Sequence, residues 1–517
     1  MYLPRVQSSC PLTTPAHATI LTGLDPVAHG IRDNQHFALR PGVVTLAERF
    51  RQAGYATAAV VSGAPLRRSY GLDRGFDLYD DQGFTVQGSG VATPASRPAQ
   101  ETVRRALDWL HAREKSPVFL WVHFYDPHEP YAPPPEFGAQ DPAHPYAGEV
   151  AAVDARLGSL LEAVRADRAR RWIVLVTGDH GEALGDHGEA THGVLLYGST
   201  VDVPLILWPA PSGSAGTGPF GLIDVAPTLC LLAGLPPMGA GRSLLGTSGE
   251  RWLAAESAYP TTAYGLAPAH RLRRGDRVVL EQGASEVYAL AEDPEEIADL
   301  SGTPEGQDDL RRAAAETERA FGPVEALRER SLALAPDDLA ALRGLGYVSG
   351  SAGRGPLRRV DLRRFVVDLL RLERARALLS TGRHAEALAA YDAFLADYPG
   401  SAPAQQERGQ ALAALGRLSD AEKAFAHALA LDPADAVSAL NLGNLALARN
   451  DPAAAERFFK ESLRLEEAQP EAHLNLALLY VYKVNRPAEA KPHLERFLAL
   501  APEDREAAEV RTLLAGL

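Results

Sequence analysis

Cysteine is nearly absent from this sequence. Only Cys10 and Cys230 occur among its 517 residues. Two thiols cannot build the disulfide framework of a small secreted domain or a cluster of thiolate ligands for a metal. Long apolar runs are absent too, since no stretch reaches the roughly 18 residues that a membrane-spanning helix requires. The sequence therefore predicts no membrane span.

An excess of positive charge is also missing. The formal net charge is −14, whereas a general nucleic-acid binder needs a basic face for the phosphates. We therefore expect no nucleic-acid partner. An anionic substrate is not excluded, because a local cationic pocket can exist on an acidic protein.

The C-terminal part of the chain consists of helical repeats. Small residues recur at steps of 34 in the first helix of each unit, at Ala375, Gly409, Gly443 and Ala477, and at steps of 34, 34 and 35 in the second helix, at Ala387, Ala421, Ala455 and Ala490. Small residues at fixed positions let paired helices approach closely, and prolines at 399, 433 and 502 end the second helices. The pattern resembles the tetratricopeptide repeat, in four units over about 368–504. An ordinary helical bundle is the alternative.

The remainder of the chain, 1–348, alternates strand-like and helix-like segments. Such alternation predicts an α/β domain with a mainly parallel sheet sandwiched by helices. The Gly- and Ser-rich segment at its end predicts a linker over 349–367, followed by an all-α solenoid over 368–517. In parallel sheets, sites form beyond the carboxyl ends of strands, so residues at those positions are the candidates for function.

The segment from Thr13 to Gly23 predicts a helix with a hydroxyl cap and a proline in its first turn. A hydroxyl at a helix N-terminus lies in a positive field that favours a tetrahedral oxyanion. Thr13 could therefore be a nucleophile, although a simple helix cap explains the segment equally well. Asn34 follows in a polar turn and could donate its amide to an oxyanion, or merely form a surface turn.

Two predicted strands end in clusters of titratable residues. The loop after the first strand is made rigid by prolines and contains Asp126 and His128, with His123 nearby. These side chains could be metal ligands, charge donors or structural groups. Asp179 and His180 follow the second, where an oxygen and a nitrogen ligand could hold a divalent cation. Three histidines and four carboxylates lie within 179–192, too many for a plain loop.

These four segments, in this order, resemble sulfatases and their phosphoryl-cleaving relatives in the alkaline phosphatase superfamily. The resemblance extends over nearly all of 1–348. It implies Asp179, His180 and Thr13 as metal ligands, and Thr13, Asn34, His128 and His192 as catalytic residues. The cation would be calcium or zinc. One ion or two are both possible, because Asp126, His128 and His192 could hold a second.

The chain departs from the sulfatase pattern at the nucleophile. Sulfatases carry a cysteine or serine that is oxidised to formylglycine, in C/S-x-P-x-R, whereas this chain has Thr13 and, at the arginine position, His17. Threonine cannot form formylglycine. Here the sequence is closer to the phosphodiesterase and phosphoethanolamine-transferase branches, which attack with threonine directly. The resemblance implies that Asn34 and the main-chain N–H of Thr14 receive the negative charge that develops.

A strand expected from the resemblance is missing. In the family, a central strand that ends in metal-binding aspartate precedes the nucleophile by several dozen residues. Here twelve residues precede Thr13, and they contain no carboxylate. We expect the reading frame to begin upstream, with this strand and a signal or anchor, which the resemblance places in the bacterial periplasm or at a membrane. For 1–517 itself we expect weak metal binding and little activity.

Two classes of function follow. The first is a metal-dependent hydrolase of sulfate or phosphate esters with a threonine nucleophile, whose repeats bind a protein partner; a phosphodiesterase or phosphoethanolamine-type transferase is its variant. The second is a scaffold in which the enzyme domain is degenerate and the repeats hold peptides.

Overall fold

The computed structural model describes the chain except for residues 84–95, 114–115, 139–143, 212–217, 247–248, 329–331, 333–337, 339–341, 343–356, 434, 468 and 503. The chain forms two compact units. The first comprises Met1–Pro260, Ala267–Tyr347 and Arg359–Val366, and the second comprises Thr261–Leu266, Val348–Arg358 and Val367–Leu517. Residues 349–356 of the predicted linker lie outside the described residues, and the predicted domain boundaries stay a prediction.

The first unit contains the strands, in three sheets. The strands are β1 (Tyr2–Gln7), β2 (Ala56–Val60), β3 (Leu78–Asp80), β4 (Val118–Val122), β5 (Val174–Thr177), β6 (Asp202–Trp208), β7 (Phe220–Gly221), β8 (Leu253–Ser257), β9 (Ala269–Arg274), β10 (Arg277–Glu281) and β11 (Ser285–Ala289). The sheet orders are β3-β2-β4, β5-β6-β1-β7 and β11-β10-β9-β8. The first sheet is parallel, and in the second β6 runs antiparallel to β1 and β5. The predicted α/β class with a parallel sheet is confirmed.

Ten α-helices of the described residues precede the repeats. They are α1 (Thr13–Thr22), α2 (Pro26–His29), α3 (Leu46–Gln52), α4 (Ala99–His111), α5 (Pro135–Gly138), α6 (Pro145–Ala166), α7 (Gly198–Val201), α8 (Val225–Leu232), α9 (Tyr259–Tyr264) and α10 (Pro304–Phe321). All but α9, which begins in the first unit and ends in residues of the second, lie in the first unit. Helix α4 shows how they cover the sheet: its Val103, Ala106 and Trp109 pack with Ala58 and Val60 of β2 in one buried cluster. Apolar side chains at helical spacing therefore meet the face of the parallel sheet.

Strands β4 and β5 each have one hydrogen-bonded neighbour among the described strands, namely β2 and β6. Both end at the candidate site. Every residue of either strand is only half-buried, although β4 reads VFLWV and β5 reads VLVT. Apolar strands with one open edge and partial exposure are unusual inside an α/β domain, because such strands are normally covered on both faces.

The second unit is built from paired helices. They are α11 (Leu362–Ser380), α12 (His384–Asp397), α13 (Ala402–Ala414), α14 (Leu418–Leu431), α15 (Ala436–Ala448), α16 (Pro452–Leu465), α17 (Pro470–Tyr482), α18 (Pro487–Leu500) and α19 (Ala507–Gly516). All eight recurring small residues are buried. Helices α12, α14 and α18 end two residues before the prolines at 399, 433 and 502. The helical solenoid predicted from the repeats is confirmed.

Two of the small residues are glycines because an aromatic ring occupies the space of a side chain. A Cβ at Gly409 would lie 2.6 Å from the ring of Phe425, and one at Gly443 would lie 2.5 Å from the ring of Phe459. Both rings are buried. Close approach of the two helices of a repeat thus depends on the missing methyl group.

Successive first helices of the repeats are joined by polar pairs at one spacing. Nε of Arg376 on α11 donates to Glu407 on α13 over 2.9 Å, and Nδ2 of Asn475 on α17 donates to Asn444 on α15 over 2.9 Å. Both pairs span 31 residues. The repeat period therefore places these side chains on equivalent parts of each unit. No described helix in either unit combines the length and apolarity needed to cross a bilayer.

Candidate active site

Thr13 is the first helical residue of α1 and is 3% exposed. The N-cap is Leu12, and no side chain caps the helix. The prediction of a hydroxyl cap is therefore wrong: the Thr13 hydroxyl is one position too far into the helix to cap it. Its Oγ1 instead lies 3.5 Å from Nε2 of His180, so the hydroxyl faces the residues beyond strand β5.

Asp179 and His180 follow β5 directly. Nδ1 of His180 donates to the carbonyl oxygen of Gly181 over 2.9 Å, so Nε2 carries the lone pair that faces Thr13. Oδ2 of Asp179 lies 3.6 Å from the same Nε2. The structure thus brings the three predicted metal ligands together. Donors bound tetrahedrally at about 2.1 Å from one ion lie about 3.4 Å apart, so these spacings fit a shared cation.

The donor set is small. Among the described residues, no group of three or more His, Cys, Asp or Glu side chains is arranged to hold a metal ion. Asp179 and His180 are two such residues, and the Thr13 hydroxyl is the third donor. The predicted set therefore fits a divalent cation by spacing and donor type but leaves it short of protein ligands.

His17 contacts both Thr13 and Asp179. From the sequence it was expected only to replace the arginine of the sulfatase motif. Its Nδ1 donates to the carbonyl oxygen of Thr13 over 2.9 Å and lies 3.4 Å from Oδ2 of Asp179. Burial alone would raise the pKa of Asp179, but the imidazoles of His180 and His17 hold it well below its ordinary value. His17 therefore contacts the Asp179 carboxylate without being one of the proposed ligands, as outer-shell groups do at metal sites.

Asn34 lies against the first turn of α1. Its Oδ1 accepts a hydrogen bond from the main-chain N–H of Thr14 over 2.9 Å. The proposed oxyanion role of that N–H is therefore wrong, because Asn34 already uses it. Nδ2 of Asn34 is buried and has no hydrogen-bond partner in the described structure. A buried amide donor without a partner is costly, which is typical of a group that meets a ligand.

His192 is paired with Glu182. Its Nδ1 lies 3.1 Å and 3.3 Å from the two carboxylate oxygens, and both side chains are 6% exposed. The ring of His192 lies 4.3 Å from that of His180, centroid to centroid. Burial would lower the pKa of His192, but the hydrogen bond and charge of Glu182 raise it above its ordinary value. Glu182 therefore favours the protonated form of His192, which lies beside the candidate metal ligands.

His128 has the opposite character. Its Nδ1 donates to the carbonyl oxygen of Glu129 over 2.7 Å, and its buried Nε2 has no partner among the described residues. Burial, and then His192, lower the pKa of His128 to about 4. The His128 and His192 rings are 5.4 Å apart. Glu149 of α6 holds the loop by accepting from the N–H groups of His128 and Ala132.

Asp126 does not join this group. Its Oδ2 accepts from the N–H of Ala99 at the start of α4 over 3.1 Å, so the carboxylate anchors a helix. The alternative second-cation set of Asp126, His128 and His192 is not among the groups arranged to bind a metal in the described chain. His123 is also structural in character: Nδ1 lies 3.4 Å from Oγ of Ser62, and burial lowers its pKa to about 3.

Comparison with family models identifies the class of both units. Residues 1–235 match the sulfatase family, and residues 372–436 match the tetratricopeptide repeat. The chain therefore carries a sulfatase-family hydrolase domain followed by tetratricopeptide repeats. Metal dependence is general in that family. Comparison with curated proteins gave no significant match.

Solved structures agree on the fold. BT4656, in complex with its substrate D-glucosamine-2-N,6-O-disulfate, has a TM-score of 0.50 at 18% identity, over 62% of this chain and 91% of its own. Ps i-CgsB, in complex with k-i-k-neocarrahexaose, has a TM-score of 0.53 at 18% identity, over 67% and 89%. A phosphonate monoester hydrolase from Silicibacter pomeroyi matches at 18% identity over 62% and 87%, with a TM-score of only 0.46.

Proposed function

We propose that the sulfatase-family domain cleaves sulfate or phosphate esters with the hydroxyl of Thr13 as the nucleophile. The observation that carries this proposal is the meeting of Thr13 Oγ1 with His180 Nε2 at 3.5 Å, beside Asp179 Oδ2. These groups come from the start of α1 and the end of β5, far apart in sequence. A helix cap would not require such a meeting.

The residues divide the chemistry among them. A divalent cation held by Asp179, His180 and Thr13 would supply positive charge that acidifies the hydroxyl and draws electrons from the ester. Asn34 offers its free Nδ2 to the oxygen on which negative charge develops. His192, which is paired with Glu182, would face the leaving oxygen and donate a proton to it.

The first step forms a bond between Thr13 Oγ1 and the sulfur or phosphorus and breaks the bond to the ester oxygen. The leaving oxygen takes a proton from His192, and the Thr13 hydroxyl proton is released to solvent. A second step transfers the group from Thr13 to water. Transfer to an acceptor alcohol instead would make the protein a transferase, the second candidate, which the threonine nucleophile favours equally.

The test is turnover of matched aryl esters. Wild-type protein at saturating zinc or calcium, which offsets weak metal binding, should slowly cleave nitrophenyl sulfate, bis(nitrophenyl) phosphate or phenylphosphonate esters, and D-glucosamine-2-N,6-O-disulfate extends the panel. Thr13→Ala should abolish cleavage and Thr13→Ser should retain part of it. Thr381→Ala, which removes an exposed hydroxyl in the second unit, is the matched control. Mass spectrometry of quenched turnover of nitrophenyl sulfate should find about 80 Da, the mass of a sulfuryl group, added to Thr13.

Retained cleavage in Thr13→Ala would contradict the assignment of the nucleophile. Absence of cleavage of every ester by the wild-type protein would favour the other class of function, a scaffold whose enzyme domain is degenerate. The panel also separates sulfate from phosphate specificity, and an added alcohol that shifts the product from free anion to a new ester identifies a transferase.

We also propose that the repeats bind a protein partner through the face that carries Asn441, Asn444 and Asn475. Asn444 is exposed, and its Oδ1 already accepts from Asn475. Uncharged amides at adjacent repeats suit the main-chain N–H and C=O groups of an extended peptide. A photo-cross-linker at position 444 should capture a partner that one at exposed Ala426 does not, and Asn475→Ala should weaken that capture.

A further inference from the structure

We propose that Glu182 is a positioning residue that fixes His192 with its Nε2–H directed at the leaving oxygen of the ester. This inference rests on the proposed function, in which His192 serves as the proton donor. Nothing in the sequence comparison gives Glu182 a role.

The contact itself is well defined. Both oxygens of Glu182 lie within 3.3 Å of Nδ1 of His192. An ionised carboxylate can only accept hydrogen bonds, so Nδ1 must carry a proton whenever this contact exists. The second ring nitrogen, Nε2, is then the one left for the substrate. Glu182 thus selects which nitrogen faces the reaction.

The position of Glu182 in the chain adds to this argument. It follows His180 by two residues beyond β5, so the same strand end carries the metal ligands and the carboxylate that orients His192. The His192 ring is also bounded by the rings of His180, at 4.3 Å, and His128, at 5.4 Å. With Glu182 on Nδ1, rotation of the imidazole would break its hydrogen bond and strand a buried carboxylate.

A purely structural role for Glu182 is the competing explanation. No main-chain N–H of the described residues donates to Glu182, in contrast to Glu189 in the same turn, which accepts from the N–H groups of Val194 and Leu195. Glu189 holds the turn, whereas Glu182 holds a side chain. The two carboxylates therefore predict different consequences on removal.

The first experiment measures dependence on the leaving group with the full chain. Glu182→Ala and His192→Ala should both lose about 10²-fold in kcat for esters of phenol and only a few-fold for esters of dinitrophenol, because only the poor leaving group needs a proton. KM should change little. Glu182→Gln, which keeps an acceptor, should recover part of the loss, and Asp186→Asn, exposed in the same turn, is the control.

In the His192→Ala background, Glu182→Ala should cost nothing further, since residues that act as a unit are not additive. An equal loss for all leaving groups, or an added loss in that background, would overturn the proposal.

The second experiment needs no turnover. Long-range ¹H–¹⁵N spectra of histidine-labelled protein, with the His192 signals assigned from His192→Gln, should show Nδ1 protonated in the wild type. Glu182→Ala should shift the ring towards a mixture of tautomers. The positioning role would be contradicted if Nδ1 of His192 carries no proton in the wild type. It would also be contradicted if the tautomer of His192 is the same in Glu182→Ala. Intact spectra in a protein that cleaves no ester would instead mark failure of the proposed function.

Discussion

The main-chain N–H of Thr14 donates to Oδ1 of Asn34 across 20 residues of sequence. That bond sets the orientation of the Asn34 amide, because an N–H group can pair only with its oxygen. Nδ2 of Asn34 is left buried and without a hydrogen-bond partner among the described residues. The N–H of Thr14 at the helix N-terminus is therefore not available to contact an anion. Instead it orients the neutral amide of Asn34.

Replacing Asn34 with aspartate tests this arrangement. Asn34→Asp keeps an oxygen for the N–H of Thr14 but removes the NH₂ donor and adds negative charge. We expect kcat to fall at least about 10²-fold while the melting temperature changes little, since loss of one oxyanion donor has that magnitude. Asn485→Asp, at an exposed position in the second unit, should leave kcat unchanged. Unchanged kcat in Asn34→Asp would remove Asn34 from the mechanism.

Metal binding by residues 1–517 should be weak. Asp179, His180 and Thr13 provide three donors, one of them a neutral hydroxyl, and structural zinc sites use four strong ligands. Equilibrium dialysis with zinc and with calcium should give dissociation constants no tighter than the micromolar range, and Asp179→Asn should weaken them further. Asp186→Asn is the control. Tight, stoichiometric binding by the wild type would contradict this expectation.

Stability should fall as the pH rises through neutrality because of Glu189. Burial raises the pKa of this carboxyl to about 7, against an ordinary value of 4.5. The folded state therefore binds more protons than the unfolded state between these values. The contribution of Glu189 is complete below about pH 4.5 and is lost as the pH passes 7.

Urea unfolding of the wild type and of Glu189→Gln at pH 6 and pH 8 measures this effect. The free energy of unfolding of the wild type should decrease between the two, and the glutamine variant should show a smaller decrease. Parallel slopes for the two proteins would show that Glu189 is already ionised when buried.

A matched pair of glycine substitutions tests packing in the repeats. Gly443→Ala places a methyl group 2.5 Å from the ring of Phe459. Overpacking of this kind costs about 1–3 kcal/mol, more than the roughly 1 kcal/mol of helix propensity gained. Gly158→Ala, inside α6 with no atom within 4 Å of the new methyl group, should stabilise the protein. Thermal unfolding should therefore shift in opposite directions.

Much of the site could be predicted because strand ends and helix starts are local features. Thr13 lies two residues before Pro15 in the first turn of α1, and Asp179 and His180 follow an apolar run that forms β5. Their convergence follows from the general geometry of α/β sheets. The structure brings them within 3.6 Å of a common atom, Nε2 of His180.

The sequence left the role of a polar group open, or indicated the wrong one, where that group had two plausible partners. Asp126 stands among candidate ligands in sequence, but the N–H of Ala99 uses its carboxylate. The N–H of Thr14 was expected to face an oxyanion, but Asn34 accepts it. Local pattern gives the type of a polar group, whereas its partner is chosen by packing.

The sequence by itself determined the order of the sulfatase-family domain and the repeats, the 34-residue helical period, and the residue types proposed as nucleophile and metal ligands. These are encoded in spacing and in the side chains' own chemistry. Only the tertiary structure decided that His17 contacts Asp179, that Glu182 hydrogen-bonds His192, and that Nε2 of His128 has no partner among the described residues. Such contacts join residues up to 162 positions apart, and their geometry depends on how strands and helices pack, which no local pattern records.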